Sequence, residues 1–168
     1  LSSKVGKYPH QMLQNIKFPF SVKKMVIKNG MVAYTEKAVV SKQTGTVFFK
    51  SINGTVSNVT NIKDLISKNN LLLLEASASF MGVSRAHTVW KLPLNSSNGA
   101  FDVSGTAGGF NAVSLNPLIE PLGMTSIKKG TVNKLTFNMT GTDQGAKGSA
   151  TLLYQDLKVE VLKTDSGD

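Results

Sequence analysis

The sequence predicts a mainly β protein: a curved antiparallel sheet forming a groove or a partly open barrel, with a few short helices. Three observations carry that expectation. Long stretches alternate apolar and polar residues with the two-residue period of a strand, and clusters of Gly, Asn, Asp and Ser separate them. The apolar stretch Asn116-Pro117-Leu118-Ile119-Glu120-Pro121-Leu122 contains two prolines, Pro117 and Pro121. Each removes a backbone donor and restricts the residue before it, so only a short helix fits there.

Taken in order, the chain opens with a short helical turn expected over Gln11 to Ile16. Phe18-Pro19-Phe20 introduces a strand from Val22 to Lys28, and Asn29-Gly30 is either a hairpin turn or a bulge before Met31 to Lys37 continues extended. After the turn Lys42-Gln43-Thr44-Gly45, Thr46 to Val59 is extended, with a bulge expected at Gly54. Asn61 is placed as the N-cap of a two-turn helix over Ile62 to Lys68. Leu71 to Met81 is the most apolar strand, with Leu72, Leu74, Ala76, Ala78 and Phe80 on one face. Ala86 to Leu94 follows, with Trp90 and Leu92 sharing a side.

The C-terminal third reads as strand, short helix, strand, strand. Phe101 to Ala107 is extended, and the proline-limited helix lies within Val113 to Leu122. In Thr131 to Thr140, Thr131, Asn133, Leu135, Phe137 and Met139 point one way. Thr142-Asp143-Gln144-Gly145 is a hairpin turn, and Ala146 to Val161 returns with Ala150, Leu152 and Tyr154 on one face. That alternation changes parity at Asp156, as a β-bulge would require, with the carboxylate expected to hold nearby backbone donors. Ile27-Lys28-Asn29-Gly30 recurs as Ile127-Lys128-Lys129-Gly130, and in part as Ile52-Asn53-Gly54. Each copy can place a glycine where a strand bends, and Gly130 is expected in a backbone conformation unfavourable to a residue with Cβ.

At 168 residues the chain forms a single domain, 1–168, able to bury about 70% of its unfolded surface. It begins at Leu1 and not at Met, and is expected to be a piece of a longer chain. No apolar run approaches the ~20 residues of a membrane-spanning helix. Cysteine is absent, which excludes disulfides and thiolate metal sites. The formal charge is +9, carried by lysines with Arg85 as the only arginine. Phosphate and base recognition leans on arginine forks, so the lysines read as a solvated face attracted to anionic membrane surfaces and not as a nucleic-acid site.

Catalytic signals are weak. His10 and His87 lack a partner at metal-ligand spacing and read as solvated or locally hydrogen-bonded. Ser84, His87 and Asp102 could be imagined as a triad, but no nucleophile elbow surrounds the serine. Gly105 to Gly109 and Gly145 to Ser149 lack the strand and helix of a phosphate loop. No metal site and no cofactor is expected.

The motifs Asn116-Pro117-Leu118 with Glu120-Pro121-Leu122, Ile127-Lys128-Lys129-Gly130, and Gly148 leading to Tyr154-Gln155-Asp156-Leu157-Lys158-Val159 resemble the C-terminal module of AsmA-like proteins. That envelope family includes TamB-type relatives, and the likeness is to the Bacteroidetes form. Phe18-Pro19-Phe20, Ile27-Lys28-Asn29-Gly30 and Val59-Thr60-Asn61 extend it over most of the chain. Gly30, Pro117, Pro121, Gly130, Gly148, Tyr154 and Asp156 are its structural positions. The resemblance implies a non-enzymatic module of envelope biogenesis in the periplasm, anchored to the inner membrane through a segment outside this sequence. Its apolar β-groove would shield or conduct phospholipid acyl chains between membranes. Neighbouring repeats of the same chain, or outer-membrane proteins paired through sheet edges, would be its alternative partners. The groove candidates are Leu72, Leu74, Phe80, Trp90, Leu92, Leu135, Phe137 and Met139, which could equally fill a closed core.

Overall fold

The computed structural model describes residues 6–39 and 41–162. The elements are α1 (Pro9–Gln14), β1 (Ser21–Lys37), β2 (Thr44–Thr60), α2 (Lys63–Lys68), β3 (Leu71–Phe80), β4 (Ser84–Pro93), β5 (Phe101–Gly108), β6 (Phe110–Asn111), a 3-10 turn (Ala112–Leu115), α3 (Asn116–Gly123), β7 (Thr125–Thr142) and β8 (Gly145–Val161). All eight strands form one antiparallel sheet that does not close into a barrel. Its lanes run β1, β2, β3, β4, β5, β7, β8, and β6 prolongs the β5 lane along β7. The expected mainly β architecture with short helices is therefore what the chain adopts.

Curvature follows from where α3 sits. β2 and β7 are four lanes apart, ~19 Å if the sheet were flat, yet the eight-residue α3 touches both. The sheet must wrap around the helix. Gly45 of β2 makes the approach possible: a Cβ there would lie 2.7 Å from Leu122 Cγ and 3.0 Å from the Leu118 carbonyl oxygen. On the β7 side, the Asn116 amide imitates a strand partner, donating to the Ile127 carbonyl oxygen and accepting from its N–H, each at 2.9 Å. Glu120 accepts from the buried Ser126 hydroxyl at 2.6 Å. Those bonds satisfy backbone groups that would otherwise be buried unpaired.

The strands run longer than the alternation predicts. β1 does not break at Asn29-Gly30; Asn29 takes φ 50° and the register shifts on both sides of Gly30. β7 begins at Thr125, so Gly130 lies inside it at a second such shift, with φ 138°. The two echoed Ile-Lys-x-Gly segments thus each mark a bulge in a 17- to 18-residue strand, with the positive φ on Asn29 in the first and on Gly130 in the second. The third copy differs. The β2 bulge falls at Ser51, φ 50°, and Gly54 serves close approach to the β3 backbone at Glu75 and Ala76. Another shift between Val132 and Lys134 moves Thr131 and Asn133 out of step with Leu135, which overturns the single alternation expected for that strand. Asp156 is a bulge residue with φ 51°, but its carboxylate accepts no hydrogen bond among the described residues. Asn61 does not cap α2: its side chain accepts from Phe20 N–H at 2.8 Å and donates to the Ile16 and Phe18 carbonyls, both at 2.9 Å, fastening the segment before β1.

Replacing Gly130 by Val is expected to lower stability by about 1–3 kcal/mol, because the positive φ strains a β-branched residue and its Cβ would meet Leu157 Cα at 2.8 Å. Chemical denaturation checks this, and an unchanged midpoint would show the glycine to be incidental.

Candidate functional site: an open apolar trough

Register partners on adjacent antiparallel strands point to the same side of a sheet, so the pairing defines two faces. One cross-strand row reads Met25, Val56, Leu74, Trp90, Val103, Met139, Gly148. The next on the same face reads Ile27, Gly54, Ala76, Thr88, Gly105, Phe137, Ala150, followed by Ala78, Ala86, Ala107, Leu135, Leu152. These rows pave the concave side. The opposite rows are mostly polar, with charges of both signs: Lys24, Ser57, Leu73, Lys91, Asp102, Thr140, Lys147, then Val26, Thr55, Glu75, Val89, Ser104, Asn138, Ser149.

Both ends of the concave face are covered. At one end Leu13 of α1 and Ile66 of α2 pack onto Leu72, Leu92 and Leu94, with Phe20, Val56 and Phe101 around them. At the other, the 3-10 turn and α3 place Ala112, Leu115 and Ile119 with Phe80, Phe110, Ile127 and Val132. The middle is open: Met25, Trp90 and Met139, all in one row, are 46%, 38% and 37% exposed. Between the plugs the floor carries small residues, Gly54, Ala76, Ala78, Ala86, Gly105 and Ala107, of which Ala76 and Ala107 are buried. Gly105 also seats the Phe137 ring, whose Cζ would be 2.6 Å from an added Cβ.

The groove candidates therefore divide. Leu74, Trp90, Leu135, Phe137 and Met139 line the open floor. Leu72 and Leu92, only 6% and 5% exposed, are core beneath α1 and α2, and Phe80 packs against Phe49 and Phe110 at the α3 end. Met25, Val56 and Val103 complete the row and are absent from the sequence-based set; Met25 is exposed, Val56 is half-buried against the α1 and α2 plug, and Val103 is buried. The shared parity of Met25 and Ile27 in β1 marks that face, but only the register joins it to Leu74. Gly148 lies against Asn138 and Met139 at the β8 edge of the floor, whereas Tyr154 is exposed opposite Val132.

Nothing here assembles a triad. The Ser84 hydroxyl donates to the Gly108 carbonyl, His87 Nδ1 lies 3.2 Å from Ser77 Oγ, and Asp102 faces Lys91 and Thr140 across the ladder. His10 is not solvated: it is 1% exposed, and neither buried ring nitrogen has a partner within full hydrogen-bond geometry. It stacks on Tyr8, which meets Phe101 edge-on, while neighbouring Gln11 donates to Asp143 Oδ2 at 2.9 Å and Gln14 donates to the Thr60 carbonyl at 3.0 Å. These contacts pin α1 over its end of the trough. Comparison with protein-family models, with curated proteins and with solved structures finds no match.

Burial pushes the His10 pKa below its ordinary 6.5, against the opposing pull of the Asp143 carboxylate and the Ala100 backbone. A lowered folded-state pKa means that the unfolded chain takes up the proton first. Stability is then undiminished above about pH 6.5 and falls as the pH drops below it. Melting temperatures at about pH 7.5 and about pH 5.5, on either side of the ordinary histidine pKa, should separate more for the parent than for His10→Phe; equal separations would contradict this.

Proposed function

We propose that the trough is a non-enzymatic receptacle for acyl chains, in keeping with a periplasmic envelope module that shields or conducts phospholipid between membranes. The observation that carries this reading is the row in which Met25, Trp90 and Met139 are exposed and Leu74 is half-buried, between two packed ends. Large apolar side chains rarely remain exposed together on one concave face unless something covers them. A bound acyl chain gains about 0.8 kcal/mol per buried methylene on such a floor, and hydroxyl or charged groups are scarce there, with Thr88 the one polar residue in the middle row. The ligand would be held by area and shape, with no reaction. Among the described residues no helix is long and apolar enough to cross a membrane.

A second reading, an assembly module that pairs through sheet edges, is favoured by one feature. β8 is exposed along almost its whole length and offers an unpaired edge, with Leu152, Leu153, Tyr154, Val159 and Val161 uncovered. An added strand from a neighbouring repeat or an outer-membrane protein would complete it.

A lipid-like fluorophore should bind the parent chain, and Leu74→Glu should weaken binding roughly tenfold or more, because the carboxylate must be desolvated or neutralised against the ligand. Leu153→Glu, on the outer side of β8, should leave it unchanged. The comparison holds for variants that keep the strand signal and a cooperative melt. A parent that binds nothing, or a folded Leu74→Glu that binds as well, would remove the trough reading and leave edge pairing ahead.

A further inference from the structure

The two rims of the trough are chemically unequal. β1 itself carries Lys23, Lys24, Lys28 and Lys37 against the single acid Glu36, with Lys17 just before it. Glu36 is itself occupied, accepting from the Tyr34 hydroxyl at 3.1 Å. Along β8, Lys147 and Lys158 are balanced by Asp156 and Glu160, and Glu160 meets Lys128 at 3.0 Å. The β1 rim also exposes Phe18, Val26, Met31, Val32, Tyr34 and Val39, on both faces of the strand and beyond its ends.

We propose that the β1 rim docks on an anionic bilayer surface. The charge selects that occupant. Lysines on an edge strand oppose pairing with another strand, and a second copy would bring lysine against lysine. An anionic headgroup layer attracts the same lysines, while Val26, Met31, Tyr34 and Phe18 reach the boundary between headgroups and acyl chains, as apolar and aromatic side chains do at membrane interfaces. Long lysine stems accommodate both demands, their methylenes lying on apolar surface and their ammonium groups among the phosphates. This surface is separate from the trough floor, so it stands whether or not the floor holds a lipid.

Vesicle flotation tests it with three proteins: the parent, Lys23→Gln/Lys24→Gln/Lys28→Gln in β1, and Lys147→Gln/Lys158→Gln in β8. The parent should bind vesicles containing phosphatidylglycerol and not vesicles of phosphatidylcholine alone, with binding weakened by salt. The β1 variant should bind roughly tenfold or more weakly, since each lysine near an anionic surface contributes appreciably, and the β8 variant should match the parent. Val26→Ser/Met31→Ser should lower the binding that survives at high salt. Equal binding to neutral vesicles, no binding, equal loss in both lysine variants, or tighter capture by a short single-stranded RNA than by the anionic vesicles would each overturn the proposal.

Discussion

Short helices bridging strands that lie lanes apart determine the shape of this protein. An isolated antiparallel sheet with one apolar face would twist and seek a second layer. Here α3 spans from β2 to β7, and α1 joins Thr60 of β2 to Asp143 in the β7–β8 turn through Gln14 and Gln11. Each helix buries only its own end of the concave face, so the sheet is bent without being filled. The long ladders β1–β2 and β7–β8 then project as rims, bent by bulges at Gly30, Ser51, Gly130 and Asp156. Extra residues at bulges raise local twist and bend the strand that carries them, which suits rims that must follow a curved floor.

The division of labour within the apolar residues follows from that arrangement. Leu72, Leu92 and Leu94 stabilise the plug made by Leu13 and Ile66, while Leu74 and Trp90, two residues along the same strands, lie beyond its reach. Large side chains are therefore fully buried at the ends, whereas Met25, Trp90 and Met139 in the middle row stay partly exposed beside the buried Val103. An apolar ligand over the middle rows would supply that missing burial, and by mass action would stabilise the folded state that it binds. The proposed membrane contact of the β1 rim would bring such a ligand's source to the side of the trough, with the ends closed by helices.

Much of the fold was legible because its signals are local. The prolines at 117 and 121 confine α3, the two-residue period marks each strand, and the Ile-Lys-x-Gly echo marks two strand bulges. What escaped was set by distant partners. Asn61 has the composition of a helix cap, yet Phe20, Ile16 and Phe18 supply it with better-placed backbone groups. Asn29, Ser51, Asn58 and Met81 adopt positive φ without glycine, so no residue type announced those bends. Leu72 and Leu74 are indistinguishable in sequence; only the docking of α1 and α2 makes one core and the other floor. His10, read as solvated or locally hydrogen-bonded, is buried because Tyr8, Phe101 and the β7–β8 turn close around it.

The open floor can be measured at Trp90, the only tryptophan in the chain. On this account its emission in buffer is that of a partly hydrated indole and is quenched by acrylamide, and a single-chain lysolipid below its micelle concentration shifts it to the blue and shields it from the quencher. Emission already blue and shielded in the free protein would mean a closed core, and a floor that stays hydrated and quenchable as lysolipid is added would mean that no acyl chain settles there.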